Sequence, residues 1–395
     1  MRLRLLAVVA LLVLAGCGAG PTATPSTTPQ PTETDVAVTD TATPTPAATP
    51  PATTTPEREV RVRNGELPFD ATAVFARTQA LLGSDVAPPR NVYVSEQSYF
   101  ERGSYAESDL FRWLGLTGGG SFRASAYVAH PNAVYIATGN QTATELETIL
   151  AHEYVHIVQR RSGVHDRLGR RVVDGSTDTA IAASGVTEGA ATYTAQAYWD
   201  RHIKTGESPR AAIERAYANA TGARKYLLAR YYFGVRYIDQ RVDDPSELDS
   251  VYEAPPESSE ALIHGPTEVV AAPTVSIESD WTEASRSRQG ELFLRGALST
   301  GLPDETAGRA AAGWGNDTIV GLADEGDSAY VWAHRWDDRA NATEFEQAFA
   351  EWERPSDASY RLVRVDGETT VLLFGTPRFV TNATVERGDG IVVRT

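Results

Sequence analysis

An α+β fold is the class this sequence predicts, and three observations lead to it. Ser125–Ala129 and Ala133–Ala137, short apolar runs with Tyr, Val and Ile, flank the turn residues His130-Pro131-Asn132, the pattern of a β-hairpin. A helical stretch follows at once, and two more lie beyond it, from Val186 through Trp199 and over 208–241. From Trp281 onward, helical stretches (Gln289–Ser299, Ala342–Trp352) mix with strand-like ones (Thr318–Leu322, Ala329–Trp336, Tyr360–Val365, Thr370–Phe374).

The chain has 395 residues, enough for roughly two to three domains with real cores. Its start reads as a targeting segment. Arg2 and Arg4 precede an apolar run from Leu5 to Leu14, too short to span a bilayer comfortably. Leu14-Ala15-Gly16-Cys17 then has the form of a lipobox, which makes residues 1–17 a lipoprotein signal peptide and Cys17 the lipidated first mature residue. Cys17 is the sole cysteine, so a disulfide within the chain or a Cys-ligated metal is excluded. Residues 18–57 are dominated by Thr, Pro and Ala, a composition that cannot bury a core and reads as a disordered, extended tether. The expected body is extracytoplasmic and anchored to the cell membrane by lipid.

Net charge is −16, and Lys204 and Lys225 are the only lysines. An acidic surplus with so little lysine fits a protein that stays hydrated in high salt, and points to a halophilic source. It also argues against nucleic acid as a partner, because phosphate binding needs a basic face. Five N-x-Ser/Thr sequons, at Asn140, Asn219, Asn316, Asn341 and Asn382, are candidate glycosylation sites in an exported chain.

Folded sequence begins near Glu59. Asp70 can cap a helix through Val74, Phe75 and Leu81, and Asn91–Val94 reads as a strand. The run GLTGGGS at 115–121 lacks the Lys-Ser/Thr ending of a phosphate loop, so it receives no nucleotide role.

The chemistry concentrates in TATELETILAHEYVHIVQ, residues 142–159. Thr144 followed by Glu147 has the form of a capping box, and Leu146, Ile149 and Leu150 make an apolar stripe at helical spacing. On that helix His152 and His156 lie one turn apart on one face, and can grip one Zn²⁺ between them. Glu153 stands beside them, where it can take a proton from activated water and pass it to a leaving group. The alternative is a core helix that happens to hold two histidines.

A hydrolytic zinc needs a third protein ligand and one open position. The long three-histidine form of the motif is excluded, because residue 162 is Ser and residue 159 is Gln. His165 is near in sequence, but nothing places it on a defined face. Glu188 is favoured: it falls near the start of the next expected helix and is followed by Gly189, Ala190 and Ala191, small enough to let two helices approach. For the donor that steadies a tetrahedral oxyanion, the candidates are Tyr193, Tyr231, Tyr232 and His264. His264, in the loop-like stretch PPESSEALIHG, is preferred, and Tyr193 is retained beside it.

The stretches HEYVHIVQ at 152–159 and TEGAATY at 187–193 resemble the paired zinc helices of secreted glutamate-zincin metallopeptidases, a group called peptidase-MA-like. The later stretches YYFGVRYIDQ, PPESSEALIHG and AAAGWGNDTIVGL resemble segments of exported peptidases and of haloarchaeal surface lipoproteins. Thr187 stands where many relatives carry Asn. The resemblance covers roughly 140–350. It implies His152, His156 and Glu188 as zinc ligands and Glu153 as general base. The organisation expected from all this is a zincin-like metallopeptidase domain at 58–275 and a C-terminal α+β module at 276–395. The expected activity is peptide-bond hydrolysis on a peptide or protein substrate by a monomer. A surface binding or adhesion protein with a catalytically idle zinc site, or a hydrolase of another amide or ester, is the alternative.

Overall fold

The structure, a computed structural model, describes residues 59–96, 101–102, 108–117, 122–123, 125–172, 175–268, 270–354 and 356–395. The signal segment with Cys17, the Thr/Pro-rich tether and residues 118–121 of the Gly-rich run lie outside them. Among the described residues no helix is long and apolar enough to cross a membrane.

The N-terminal sheet is built from β1 (Arg61–Arg63), β2 (Asn91–Ser95), β5 (Ala126–His130) and β6 (Ala133–Ala137), with a separate short pair formed by β3 (Glu101–Arg102) and β4 (Phe122–Arg123). Strand order is β1-β2-β6-β5. The first three run parallel, and β5 is an edge strand antiparallel to β6, as the hairpin pattern predicts. Val92, Val94, Val128, Val134 and Ile136 point to one face, in keeping with the two-residue period of a strand. They are covered by α1 (Ala71–Leu82), whose cap Asp70 accepts from Thr72 N and Ala73 N, and by α3 (Ala143–Arg161). Between the strands lies a short helix, α2 (Asp109–Trp113).

A helical layer follows: α4 (Val164–Gly169), α5 (Thr177–His202), α6 (Pro209–Ala218), α7 (Gly222–Asp239), α8 (Asp249–Glu253) and α9 (Ser259–His264). Two sequence expectations change here. The helix expected from Val186 begins at Thr177, and the single helical region over 208–241 is two helices. The crossing of α5 and α7 is unusually close. A Cβ on Gly234 would fall 2.1 Å from the Gly185 carbonyl oxygen, and one on Gly189 only 2.3 Å from the Gly234 carbonyl carbon. The small residue after Glu188 therefore admits α7, rather than the motif helix.

The C-terminal part contains β7 (Val275–Glu278), β8 (Thr282–Ser287), α10 (Glu291–Leu298), α11 (Asp304–Ala311), β9 (Trp314–Asp324), β10 (Asp327–Trp336), α12 (Arg339–Glu351), β11 (Ser359–Arg364), β12 (Thr369–Gly375), α13 (Pro377–Asn382), β13 (Thr384–Arg387) and β14 (Ile391–Arg394). Its main sheet is antiparallel, in the order β11-β12-β10-β9-β8. β9 and β12 are buried along most of their length because both faces are covered. One face meets α13 and the small sheet β13-β14-β7, with Trp281, Val331, Leu373 and Phe379 between them. The other meets α10 and α12, and there Phe293, Trp332 and Phe345 join Leu228, Phe233 and Leu262 of the helical layer in one continuous core.

The connection into α10 holds the two parts together. Asp178 of α5 accepts from Ser259 N (2.8 Å) and Ser259 Oγ (2.5 Å), while Asp317 of β9 accepts from Gln289 N and Gly290 N, both at 2.8 Å. Gly290 has φ +85°, and a Cβ there would meet the Asp178 carboxylate at 1.9 Å, so this position requires glycine. A helix-only stretch, α4 to α9, lies between two parts in which strands and helices interleave, and the helices pack as layers on mixed or antiparallel sheets, an α+β architecture.

Candidate metal centre

The motif helix starts two residues earlier than its expected box. Thr142 is the N-cap, its hydroxyl accepting from Glu145 N while the Glu145 carboxylate accepts from Thr142 N at 2.7 Å. Glu147, expected to close the box, instead accepts from the Tyr198 hydroxyl at 2.6 Å and pairs with Arg77 at 3.2 Å. Those contacts tie α3 to α5 and α1. Two turns further on, the His152 and His156 rings meet edge to face with centroids 4.9 Å apart, and their Nε2 atoms approach to 3.2 Å.

Glu188 completes the group. Its Oε2 lies 3.4 Å from His152 Nε2 and 3.3 Å from His156 Nε2. These three side chains form the group among the described residues that could hold a metal ion. Because α5 begins at Thr177, Glu188 sits in mid-helix, and the favourable dipole of a helix N-terminus does not account for it. It is 2% exposed, and its Oε2 has no hydrogen-bond partner of good geometry. A buried carboxylate without a partner is costly. The two imidazoles, helped by Arg230 or by a cation held with them, offset that cost.

The electrostatics follow the same geometry. Burial alone would raise Glu188, but His156 and His152 override it and hold the carboxyl below the usual carboxylate range. Burial works against the charged form of His156, yet Glu188 and then Glu153 raise it to about 9. His152, 19% exposed along its side chain, is lowered by burial, with Glu188 pulling the other way. Glu153 is buried beside them with Oε2 unpartnered, and burial raises its carboxyl to about 7 against the opposing pull of His156.

Three further side chains lie near this group. Tyr231 of α7 lies with its ring centroid 6.3 Å from that of His152, and burial raises its phenol, with the charge of Glu188 adding to the effect. Arg230, 4% exposed, opposes that shift and helps to lower Glu188. His165, on α4, is near enough for the charges of His156, Arg160 and Glu188 to act on it, although burial is the main reason it falls to about 3.

Three expected residues lie elsewhere. His264 ends α9 and donates from Nε2 to the buried carboxylate of Glu291, at 3.0 and 3.1 Å, at the junction with the C-terminal part. Tyr193 points away from the group, since five residues of helix turn it well off the face of Glu188; its hydroxyl donates to the Val242 carbonyl at 3.0 Å. Neither is placed to steady an oxyanion at the His152–His156–Glu188 group. Asn316 is 7% exposed and donates from Nδ2 to the Val270 carbonyl at 2.7 Å, so its sequon is closed in the folded chain. Asn140, Asn219 and Asn382 are exposed, and Asn341 is half-buried on the first turn of α12.

Sequence reasoning gave Gln159 no role. It is 1% exposed, and its Oε1 lies 2.8 Å from His156 Nδ1. The signal was present: Gln159 is a polar residue one turn beyond His156, following apolar Ile157 and Val158.

A family model described as "Domain of unknown function (DUF8575)" matches residues 279–393, which run from just before β8 into β14 and leave out the metal group. No curated protein and no solved structure matches the chain.

Proposed function

We propose that this chain is a zinc-dependent peptide hydrolase whose helices α3 and α5 belong to a zincin-like catalytic domain. One observation carries the reading: the three candidate ligand atoms stand 3.2, 3.3 and 3.4 Å from one another. Ligands about 2.0–2.1 Å from a tetrahedral ion are separated by about 3.3–3.4 Å, so the spacing already suits one zinc. Two imidazoles and a carboxylate are also the donor set of hydrolytic zinc, which keeps its fourth position open. When bound there, zinc supplies a Lewis acid for the scissile carbonyl and the attacking water.

The chain's own side chains supply the remaining chemistry. Glu153 follows His152 directly and is buried with one oxygen unpartnered, which suits a group that takes a proton from water and returns it to the leaving amine. Tyr231 takes the place expected for His264 or Tyr193, as the hydroxyl available to a developing oxyanion. Edge strand β5 runs beside the motif helix, where Arg160 Nη2 donates to the Val128 carbonyl at 3.4 Å, and it is the strand against which an extended substrate backbone would add. The Cys17 lipobox and the tether-like composition of 18–57 support a membrane-anchored protein working outside the cell.

The test is metal analysis combined with peptide hydrolysis. The expected result is one zinc per wild-type chain and cleavage of a peptide library. Glu153→Gln should keep the metal while its rate falls by about 10²- to 10⁴-fold. A wild-type chain that binds zinc but cleaves nothing would leave a surface-binding protein, and one that binds no zinc would remove the proposal altogether.

A further inference from the structure

We propose that Gln159 is the positioning residue of this centre: it sets which nitrogen of His156 carries a proton, and it pins the two ligand-bearing helices to each other. The inference rests on the metal reading above and deepens it. Gln159 Nε2 lies 3.0 Å from the Thr187 carbonyl oxygen and 3.1 Å from the Tyr252 hydroxyl. A backbone carbonyl only accepts, so the end of the amide facing Thr187 must be the NH₂. That fixes the amide against a flip and turns its oxygen to His156 Nδ1, 2.8 Å away. The oxygen only accepts, so Nδ1 carries the proton. In the neutral ring Nε2 then presents its lone pair to the point shared with His152 and Glu188, as a metal ligand must.

The second half of the role follows from where Thr187 lies. It is the residue before Glu188, so one side chain of α3 contacts a ligand of its own helix and the backbone beside the ligand of α5. Tyr252 of α8 closes the arrangement from a third element. All three contacts are buried, and none is made to solvent-exposed groups.

Two substitutions separate this role from simple space-filling. If Gln159 only filled space, Gln159→Met, of similar length and apolar, would be the tolerated change. Gln159→Glu would be the damaging one, because it buries a charge against the Thr187 carbonyl. A positioning role reverses the order for zinc. The glutamate still accepts from His156 Nδ1 and should bind Zn²⁺ within about tenfold of wild type, whereas the methionine should lose about 10- to 100-fold. Zinc affinity is read by chelator competition on the full chain, with thermal unfolding confirming that each variant is folded. A second readout uses metal-free protein at a pH where the His156 ring is neutral: two-bond ¹H–¹⁵N spectra should place its proton on Nδ1 in wild type and in Gln159→Glu, and on Nε2, facing Glu188, in Gln159→Met. Wild-type zinc affinity in Gln159→Met, or a ring there that still carries its proton on Nδ1, overturns the proposal. Failure of wild type to bind zinc would instead sink the metal reading, and the imidazole proton would still decide the role of Gln159.

Discussion

Gly234→Ala tests how the helical layer serves the centre. The new Cβ would sit 2.1 Å from the Gly185 carbonyl oxygen, whereas real Cβ atoms essentially never come within 3.0 Å of such an atom. Backbone lies on the opposing side, so no side chain can swing away, and α7 must part from α5 by roughly 1 Å. Overpacking of this kind costs about 1–3 kcal/mol, and a contact with backbone belongs at the upper end. Alanine returns about 1 kcal/mol of helix propensity, leaving a net loss of about 2 kcal/mol. For a folded part of this size that lowers Tm by about 3 °C. The functional consequence is sharper. Tyr231 is carried by α7 and moves with it, while His152, His156 and Glu188 are carried by α3 and α5 and stay. A displacement near 1 Å at a group that acts in the transition state costs about 10²-fold in rate. Scanning calorimetry, zinc titration and peptide hydrolysis on one preparation should therefore show a lower Tm, a rate down about 10²-fold and zinc affinity unchanged within about threefold. Gly169→Ala is the control, since a Cβ there meets nothing within 4 Å. Unchanged Tm and rate in Gly234→Ala, or a loss of zinc affinity as large as the loss of rate, would refute the assignment of α7 to positioning Tyr231.

Other consequences can be checked separately. His334 is fully buried among Trp332, Trp336 and Phe345, neither ring nitrogen has a partner, and burial lowers it to about 3. Its folded pKa lies below the ordinary value near 6.5, so the native state resists protonation. The stability it allows is complete above about pH 6.5 and declines towards pH 3, by about 2 kcal/mol at pH 5. His334→Leu should remove that slope in urea unfolding at pH 7.5 and pH 5; an acid-limb difference equal to wild type would contradict it. Thr142→Ala removes the capping hydroxyl of α3 and should cost about 1 kcal/mol, with faster amide exchange confined to the first turn and zinc affinity intact, because the ligands lie two turns further in. Asn316→Gln removes the one buried sequon, so the glycan pattern by mass spectrometry should match that of wild type; a lost glycan would show that Asn316 is modified before the chain folds.

The motif helix was legible because its evidence is local. Spacing places His152 and His156 on one face, and an acidic residue three after a threonine marks a start, although the true pair is Thr142 and Glu145. Glu188 could be named as the third member of the group, yet its helix could not be delimited. α5 is lined all round by small and apolar residues and buried on most sides, so it shows no amphipathic stripe whose onset marks Thr177. Gly185 and Gly189 are explained only by partners distant in sequence: a Cβ on Gly185 would fall 2.3 Å from the Leu262 side chain, and one on Gly189 would fall 2.3 Å from the Gly234 backbone. The packing of the helical layer puts Tyr231 beside His152, while Tyr232 stacks on Tyr217 and Tyr193 donates to the Val242 carbonyl. His264 looked free because its partner, Glu291, lies 27 residues further on in another element. The mixed helix and strand pattern from Trp281 onward suggests a module at 276–395, and no local pattern reveals that its Phe293, Trp332 and Phe345 pack against Leu228, Phe233 and Leu262 in one core.

The central claim is that His152, His156 and Glu188 hold one zinc. Zinc K-edge absorption of the purified full chain tests it most directly, with Glu188→Gln measured in parallel. The expected spectrum fits two imidazole nitrogens and carboxylate oxygen at about 2.0–2.1 Å, and the variant should lose the carboxylate and bind far more weakly. A wild-type chain without stoichiometric zinc, or a spectrum unchanged in Glu188→Gln, would contradict it.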